Sequence, residues 1–167
     1  MFLVQGQQST QIGSDQSVDI RNGLHFNAIL KNVPYGEDFD PGSVVSDLQI
    51  LEARGFGYKI IEENPRIFIV FNNHPLPIGL YNIERTDLLV FTTPYYPNAG
   101  FDMFWVDEKL LLKNNNIPQG AGAVENYLGR NWRRFSYHPY NTKPWNPSED
   151  NVVTFMAYVE QRLKKGD

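Results

Sequence analysis

The sequence predicts an α+β fold in which a helix lies at each end of an antiparallel β-meander. Apolar residues recur at helical spacing near residues 43–54 and again near 148–165, while short strand-like runs separated by turn formers occupy about 57–112. A chain of 167 residues has the size of one domain and can bury a core without disulfides or metals. We therefore expect one main domain over residues 41–167, preceded by an arm over residues 1–40.

The arm contains one segment with the pattern of a small hairpin. Apolar and polar residues alternate on both sides of Asn22-Gly23, a strong turn dipeptide, which predicts a β-hairpin within residues 17–30. Residues 34–41 contain two prolines, a glycine and three acids, and are predicted to be a linker. Because an isolated hairpin is only marginally stable in water, we expect its edges to pair with the main sheet or with a second molecule. Self-association through residues 17–30 is one such outcome.

The main domain opens with a helix and continues with strands. The first helix is predicted to begin at Ser43, a suitable N-cap, and to end before Gly55. Five strand-like runs follow, at residues 58–61, 66–71, 87–92, 101–106 and 109–112. The second run is apolar on both faces, which is typical of a central strand. Residues 114–131 are rich in Asn and Gly and are predicted to form a loop, and residues 132–145 are predicted to be irregular.

The last predicted helix, over residues 148–165, has the clearest signals in the chain. Ser148 is the predicted N-cap, Glu149 and Asp150 suit the positive end of the helix dipole, and two lysines suit its negative end. One face carries an apolar stripe made of Val152, Phe155, Met156, Val159 and Leu163. We expect this stripe to face the sheet or the aromatic segment that precedes the helix.

Composition disfavours several classes of function. The 15 basic and 19 acidic residues give a net charge of −4, so no nucleic-acid partner is expected. The sequence lacks the apolar run of roughly 18–20 residues that spans a membrane, and its start lacks the basic region of a secretion signal. We therefore expect a cytoplasmic protein without a membrane partner. The absence of cysteine excludes disulfides, cysteine metal ligands and a thiolate nucleophile, and no motif indicates a cofactor.

The three histidines do not form a metal-binding motif. His25, His74 and His138 do not share ligand spacing, so no metal is expected from local sequence. His74 is predicted to lie in a loop, and a site assembled in space from His74, His138 and Asp102 stays open as an alternative. Ser136 lies two residues before His138 but lacks the glycine-flanked turn of a serine hydrolase.

Two segments are distinguished by their aromatic residues. Residues 94–97 are two tyrosines enclosed by two prolines, which predicts a rigid corner after a strand. Farther along lie Trp132, Phe135, Tyr137, Tyr140 and Trp145. These rings either fill a second small core over the last helix or form a contact surface, since Trp, Tyr and Arg are enriched at binding hot spots. The neighbouring Arg130, Arg133 and Arg134 are either a solvated face or part of a surface for an anionic partner.

Several motifs occur in the order found in one protein family. They are Leu76-Pro77-Ile78-Gly79-Leu80-Tyr81, Pro94-Tyr95-Tyr96-Pro97, Asp102-Met103-Phe104-Trp105, Trp132 to Pro139, and Trp145-Asn146-Pro147 with Asp150. Over roughly residues 46–165 this series resembles prokaryotic family E of the ubiquitin-conjugating enzyme (UBC-like) superfamily. The resemblance implies a UBC-like fold with an N-terminal helix, an antiparallel β-meander and a C-terminal helix. In the arm, residues 15–26 resemble the closing strands of bacterial multi-ubiquitin repeats.

The resemblance also implies where the active-site region of such a fold would lie. Its members in this chain are Tyr95, Tyr96, Asp102, Ser136, Tyr137 and His138. Conjugating enzymes carry ubiquitin as a thioester on a cysteine, which this chain lacks. His138 also lies only seven residues before Trp145, too close to enclose the usual active-site segment. We therefore expect a vestigial site without a catalytic residue, and the partner-binding candidates are Trp132, Arg133, Arg134 and Trp145.

The leading hypothesis is a non-catalytic UBC-like component of a bacterial ubiquitin-like modification pathway, with a place in phage defence. Genes of this family typically lie beside genes for ubiquitin-like proteins, activating enzymes and JAB-type peptidases. The expected partners are accordingly a ubiquitin-like protein and its activating enzyme. Two alternatives stay open: an active conjugating enzyme whose cysteine has been replaced, at Ser136 or within residues 114–131, and an unrelated aromatic-rich binding module.

Overall fold

The computed structural model describes Val18–Asp19 and residues 41–167 of the chain. These described residues form two α-helices, α1 (Pro41–Ala53) and α2 (Val152–Lys165), and a short 3-10 helix over Pro139–Asn141. They also form seven strands: β1 (Val18–Asp19), β2 (Tyr58–Glu63), β3 (Arg66–Pro75), β4 (Arg85–Thr92), β5 (Phe104–Asp107), β6 (Ala123–Tyr127) and β7 (Arg130–Phe135).

All of these strands belong to one antiparallel sheet with the order β1-β2-β3-β4-β5-β7-β6. Strands β2 to β5 follow one another as the predicted meander. Strand β7 then pairs with β5, and β6 pairs with the far side of β7. The α+β class is therefore confirmed, and so is an antiparallel sheet whose strands β2 to β7 lie between two helices in the order of the chain.

The pleat of the sheet separates two hydrophobic clusters. Ile67, Ile69 and Phe71 of β3 contribute to the larger cluster, which also holds the buried apolar residues of α1 and α2. The alternate residues Phe68 and Val70 contribute to a smaller cluster on the opposite face. Because its apolar residues are buried on both faces, β3 is an interior strand, as its sequence predicts. Both helices pack against the same face of the sheet.

The second half of the sheet differs from the sequence prediction. The predicted loop over 114–131 is wrong, since these residues include β6 and the start of β7, and the predicted irregular segment over 132–145 begins with the rest of β7. Leu128 and Gly129, both with positive φ, form the turn between the two strands. Polar and charged side chains occupy most positions of these strands, so apolar alternation does not reveal them.

The predicted strand over 109–112 is also wrong. Residues 108 and 109 form a turn, and Leu112 makes only an isolated β-bridge to Tyr81. The backbone amide of Leu110 donates to the carbonyl of Asp107, which closes that turn at the end of β5. A turn closed this early leaves too few extended residues for a further strand.

The N-cap of α2 lies three residues beyond the predicted N-cap, Ser148. Asn151 is the N-cap, and its side chain accepts hydrogen bonds from the backbone amides of Val153 and Thr154. Ser148, the predicted cap, instead donates its hydroxyl to the side-chain oxygen of Asn146 at 2.8 Å. The apolar stripe of the helix is buried as predicted, and the basic residues of the last turn include Lys164 and Lys165. Helix α1 ends close to its predicted stop at Gly55, whose φ is +91°.

The arm contributes one described segment to the sheet. Val18 and Asp19 pair with Ile60 and Lys59 at the edge of β2. The rest of the predicted hairpin, His25 and residues 34–40 of the predicted linker lie outside the described residues, while Pro41 of that linker begins α1. The boundary of the main domain at residue 41 stays a prediction.

Candidate functional site

The corner over residues 93–97 joins the sheet to both helices. It follows β4, and its Tyr96–Pro97 peptide bond is cis. Tyr96 is fully buried, and its hydroxyl donates to a carboxylate oxygen of Asp47 in α1 at 2.7 Å. The same hydroxyl accepts a hydrogen bond from the backbone amide of Val152 at the start of α2, at 3.3 Å. Burial and the Asp47 partner raise the pKa of Tyr96 far above its usual range, so the hydroxyl stays protonated as a donor.

The hydrogen bond to Tyr96 and burial act in opposite directions on the pKa of Asp47. Burial raises the pKa of the Asp47 carboxyl, while the hydrogen bond from Tyr96 opposes that rise. The two residues are 49 positions apart in the chain, and neither occurs in a local motif that pairs them. Sequence reasoning therefore missed Asp47, and no signal in a single sequence marks it.

Trp145 packs against the other side of the corner. Its indole nitrogen donates to the carbonyl oxygen of Pro97 at 2.7 Å. The ring lies so close to Gly100 that a Cβ at that position would overlap it. Phe101 stacks on Phe155 of α2, with ring centroids 5.3 Å apart, and it also contacts Trp145 edge-on. Trp145 is therefore a half-buried support of the corner.

His138 and Asp102 form a polar pair on the surface beyond these rings. The Nδ1 atom of His138 lies 2.8 Å from one carboxylate oxygen of Asp102 and 2.9 Å from the other. The two side chains are 38% and 56% exposed. When the ring is neutral, its Nδ1–H donates to the carboxylate and leaves Nε2 as an acceptor toward solvent. Asp102 directly follows Phe101, whose ring contacts Tyr96, so the pair lies next to the corner.

The remaining members of the predicted region have different surroundings. Tyr95 is 59% exposed, although its neighbour Tyr96 is fully buried. Ser136 is exposed at the end of β7, and its backbone amide donates to the carbonyl of Gly120 at 2.9 Å. Tyr137 is half-buried with its ring edge-on to Phe104, and burial raises the pKa of its hydroxyl.

The structure does not bring His74 to this region. His74 is the ninth residue of β3, not part of a loop, and it pairs with Thr86 near the start of β4. The corner follows the other end of β4, six residues after Thr86, which is about 20 Å along a strand. The alternative of a joint site with His138 and Asp102 is therefore wrong. In the described part of the chain, no group of three or more His, Cys, Asp or Glu side chains is placed to hold a metal ion.

The predicted basic and aromatic partner surface is divided between the two faces of the sheet. Trp132 is 1% exposed in the smaller cluster, and its indole nitrogen donates to the carbonyl of Tyr127 at 3.0 Å. Arg133 is also buried and donates to the carbonyls of Glu108 and Ala121. In this conformation both side chains hold the sheet together, and a partner cannot reach them directly.

The other two arginines make ion pairs on the face that lacks a helix. Arg134 pairs with Glu125 of β6. Arg130 pairs with Asp87 and Asp107 and lies 4.0 Å above the ring of Trp132. The carboxylates of Asp87 and Asp107 are thus part of an ionic cluster across β4, β5 and β7 that sequence reasoning missed. Its members are too far apart in the chain to form a local charge pattern.

The fold and the comparisons with known proteins define this chain as an E2-like protein. The model of prokaryotic E2 family E matches residues 44–166, and the chain belongs to that family. The predicted family membership is confirmed, whereas the resemblance of the arm to multi-ubiquitin repeats stays a prediction. No helix in the described residues is long and apolar enough to cross a membrane.

The chain is also similar to a curated bacterial protein. It is 27% identical over 153 residues to a protein of Clostridium beijerinckii named uracil-DNA glycosylase. The similarity covers 89% of this chain and 58% of the relative, so the chain spans less than two thirds of that protein's length. No solved structure matches the chain significantly.

Proposed function

We propose that this chain is a non-catalytic UBC-like component of a bacterial ubiquitin-like modification pathway, and that it binds a ubiquitin-like protein or the enzyme that activates it. The proposal is based on the family to which the chain belongs and on the absence of the cysteine that conjugating enzymes use. The chain belongs to prokaryotic E2 family E, yet it contains no cysteine. Since no thiolate is present, no residue of this chain supports a thioester. Association with the partners of the pathway is the property that such a chain retains.

The surface that we assign to the partner consists of Tyr95, Asp102 and His138. All three side chains are substantially exposed, at 59%, 56% and 38%. They combine an aromatic ring with a polar pair whose Nε2 atom is free to accept a hydrogen bond, a mixture that suits a protein interface. Tyr96 and Trp145 fix the corner beneath this surface. A partner therefore binds a preformed surface, which lowers the entropic cost of association.

The direct test is a titration of the isotopically labelled full chain, followed by NMR. The titrants are the ubiquitin-like protein encoded beside this gene and, separately, its activating enzyme. We expect saturable chemical-shift changes concentrated in residues 93–102 and 136–145. A Tyr95→Ala/His138→Ala double variant should weaken binding about tenfold or more, because it removes two of the three side chains of the assigned surface.

The matched control is Ile78→Ala, which removes a fully exposed apolar side chain from the other end of the β3–β4 pair. This control should bind like the unmodified chain. Absence of binding to both titrants at high micromolar concentrations would rule out the proposal. Equal losses in the double variant and in the control would rule out the assigned surface.

The second candidate is an active conjugating enzyme whose cysteine has been replaced in this chain. One observation favours it: Ser136 is exposed and lies two residues before His138, which has a carboxylate partner. Comparison with the genomic sequence decides this point, because a cysteine codon at Ser136 or within residues 114–131 would establish the replacement. A Ser136→Cys variant incubated with the activating enzyme, ATP and the ubiquitin-like protein should then form a thiol-sensitive conjugate.

The similarity to a protein named uracil-DNA glycosylase does not lead us to propose activity on DNA. A DNA-binding surface needs cations that are free to neutralise phosphates, and this chain has a net charge of −4. The half-buried Arg130 and Arg134 of β7 are paired with neighbouring carboxylates. We expect no release of uracil from uracil-containing DNA, and release by the purified chain would overturn this conclusion.

A further inference from the structure

A groove lies at the end of the sheet opposite the corner, between the turn after α1, the end of β3 and the second half of α2. Its first part is a cavity of about 350 Å³ whose lining includes Arg54, Phe56, His74, Arg85 and Glu160. Its second part, of about 260 Å³, shares His74 and Glu160 and continues past Leu163. The two volumes together fall in the range of small-molecule binding sites. The proposed partner surface uses none of these residues.

His74 is a buried polar side chain without a partner in this groove. It is 4% exposed, and neither ring nitrogen has a hydrogen-bond partner among the described residues. Its ring lies against Phe56, with centroids 5.4 Å apart, which fixes the ring within the wall of both cavities. Burial, with a contribution from the charge of Arg85, lowers the pKa of His74 to about 4. The neutral ring therefore offers one N–H donor and one nitrogen acceptor to a ligand.

The charges around the groove are unevenly distributed. The lining of the first cavity includes two arginines, Arg54 and Arg85. The side chain of Arg54 has no hydrogen bond or ion pair among the described residues, although its backbone amide donates to the carbonyl of Leu51. Arg85 donates from Nη1 to the carbonyl oxygen of Asn73 at 3.0 Å, which leaves its other donors available. Glu160 borders both cavities, and Lys164 borders the second. The excess of positive charge is therefore larger at the end that the two arginines line.

The second cavity has a different character. Besides the shared residues, its lining includes Leu76, Pro77 and Leu163, together with Lys164. Proline and leucine side chains offer no hydrogen bonds to a ligand, so this part of the groove suits an apolar group. A ligand that fills the whole groove therefore carries an anionic group at one end and an apolar body at the other.

We propose that the groove binds a small organic anion, with its carboxylate or phosphate group held by Arg54 and Arg85 and its apolar body extending past His74 toward Leu163. Guanidinium groups bind carboxylates and phosphates through paired N–H donors. The neutral His74 ring supplies an additional N–H donor at the junction of the two cavities. The carboxylate of Glu160 repels a second negative charge, which favours a ligand with a single anionic end. This proposal does not depend on the proposed function of the chain.

The test uses hexanoate and hexyl phosphate as probes, with inorganic phosphate and hexanol as references. Each is titrated at millimolar concentrations into the isotopically labelled full chain, and the His74 ring and the backbone amides of residues 55–57 and 72–74 are followed by NMR. We expect saturable shifts with at least one of the two anionic probes, and the stronger probe identifies carboxylate or phosphate as the preferred group. Inorganic phosphate should bind more weakly than hexyl phosphate, because it leaves the apolar cavity empty.

Four variants separate specific binding from general charge effects. Arg54→Gln and Arg85→Gln should each weaken binding about tenfold or more, since each removes a charge-assisted hydrogen bond. Glu160→Gln should strengthen binding, because it removes the negative charge that repels the anion. Lys143→Gln removes one positive charge near the other end of α2, where Lys143 pairs with Glu149, and should leave binding unchanged. Circular dichroism confirms that each variant is folded before its titration.

Several results would overturn the proposal. Hexanol that shifts the same signals as strongly as hexanoate and hexyl phosphate would show that only apolar contact matters. Equal losses of affinity in Lys143→Gln, Arg54→Gln and Arg85→Gln would show a general effect of charge. Absence of saturable shifts with both anionic probes would show that the groove does not bind this class of ligand.

Discussion

At the residue scale, the burial of His74 makes the stability of the fold depend on pH. Its pKa is about 4 in the folded chain, well below its ordinary value of 6.5. The unfolded chain therefore binds more protons than the folded chain between these two values. The stabilising contribution of neutral His74 is fully present above about pH 6.5 and is lost as the pH falls toward 4. The loss corresponds to about 3 kcal/mol.

This dependence can be separated from that of the buried carboxyl groups. Burial raises the pKa values of Asp47 and Glu62, so these two groups act in the opposite direction and favour the folded chain at lower pH. We compare the unfolding free energy of the unmodified chain with that of His74→Gln from pH 4 to 7. As the pH falls, the unmodified chain should lose unfolding free energy relative to His74→Gln, because the variant has no imidazole at position 74 to become protonated. A constant difference would mean that His74 titrates normally in the folded chain.

His138 should behave differently from His74, because its side chain is partly exposed. Exposed ion pairs contribute at most about 1 kcal/mol to stability. We expect His138→Ala to lower the melting temperature by less than about 4 °C, as measured by circular dichroism. A larger fall would mean that His138 has a packing role and would weaken its assignment to a partner surface. Asp102→Asn, which keeps the size of the partner side chain, should have an equally small effect.

At the element scale, α2 is held to the sheet by the stripe that its sequence predicts. Phe155 is fully buried and stacks on Phe101, with ring centroids 5.3 Å apart. We expect Phe155→Ala to lower the unfolding free energy by about 3–5 kcal/mol, because it leaves a large cavity. Urea unfolding measures this loss, and Gln161→Ala, on the exposed side of the same helix, is the control. A loss below about 1 kcal/mol in Phe155→Ala would contradict the position of this ring in the core.

The elements that the sequence predicts well are those in which burial and periodicity coincide. The stripe of α2, the stop of α1 at Gly55 and the doubly buried β3 all follow from local patterns. The β6–β7 hairpin does not, because Arg130 and Arg133 are stabilised by carboxylates and a carbonyl from outside the hairpin. Those partners lie far away in the chain, so a charged strand looks like a loop until the sheet is known.

The candidate site likewise contains some residues that the sequence indicates and others that only the structure shows. The prolines and tyrosines of the corner and the residues around His138 are visible in the sequence because they form ordered motifs. The support of Tyr96 is not visible, because Asp47 reaches it from another element. Asp102 and His138 are assigned to the same region by their motifs, but their direct hydrogen bond across 36 residues is seen only in the structure. The groove at the other end of the sheet is less visible still. Its residues are drawn from α2 and from three other segments that share no motif.

At the scale of the whole molecule, the main question is how the arm relates to the E2-like domain. The family match begins at residue 44, and the described core of residues 41–167 contains both helices and strands β2 to β7. Within the described residues, the arm adds only the pairing of Val18 and Asp19 with the edge of β2. An edge strand whose partner is removed is prone to pair with other chains.

Deletion of residues 1–40 should therefore leave a folded chain over 41–167 whose association behaviour differs from that of the full chain. The larger cluster already combines buried residues of α1, α2 and the central strands, so cooperative unfolding should persist. Loss of the β1 pairing exposes the backbone of Ile60 and Lys59 to other molecules. Thermal unfolding by circular dichroism tests the fold, and sedimentation velocity at several concentrations tests self-association.

A truncated chain that fails to unfold cooperatively would show that the arm is an integral part of the core and that the domain boundary at residue 41 is wrong. A folded truncated chain that matches the full chain in self-association and in affinity for the ubiquitin-like protein would show that the arm does not cover a binding edge.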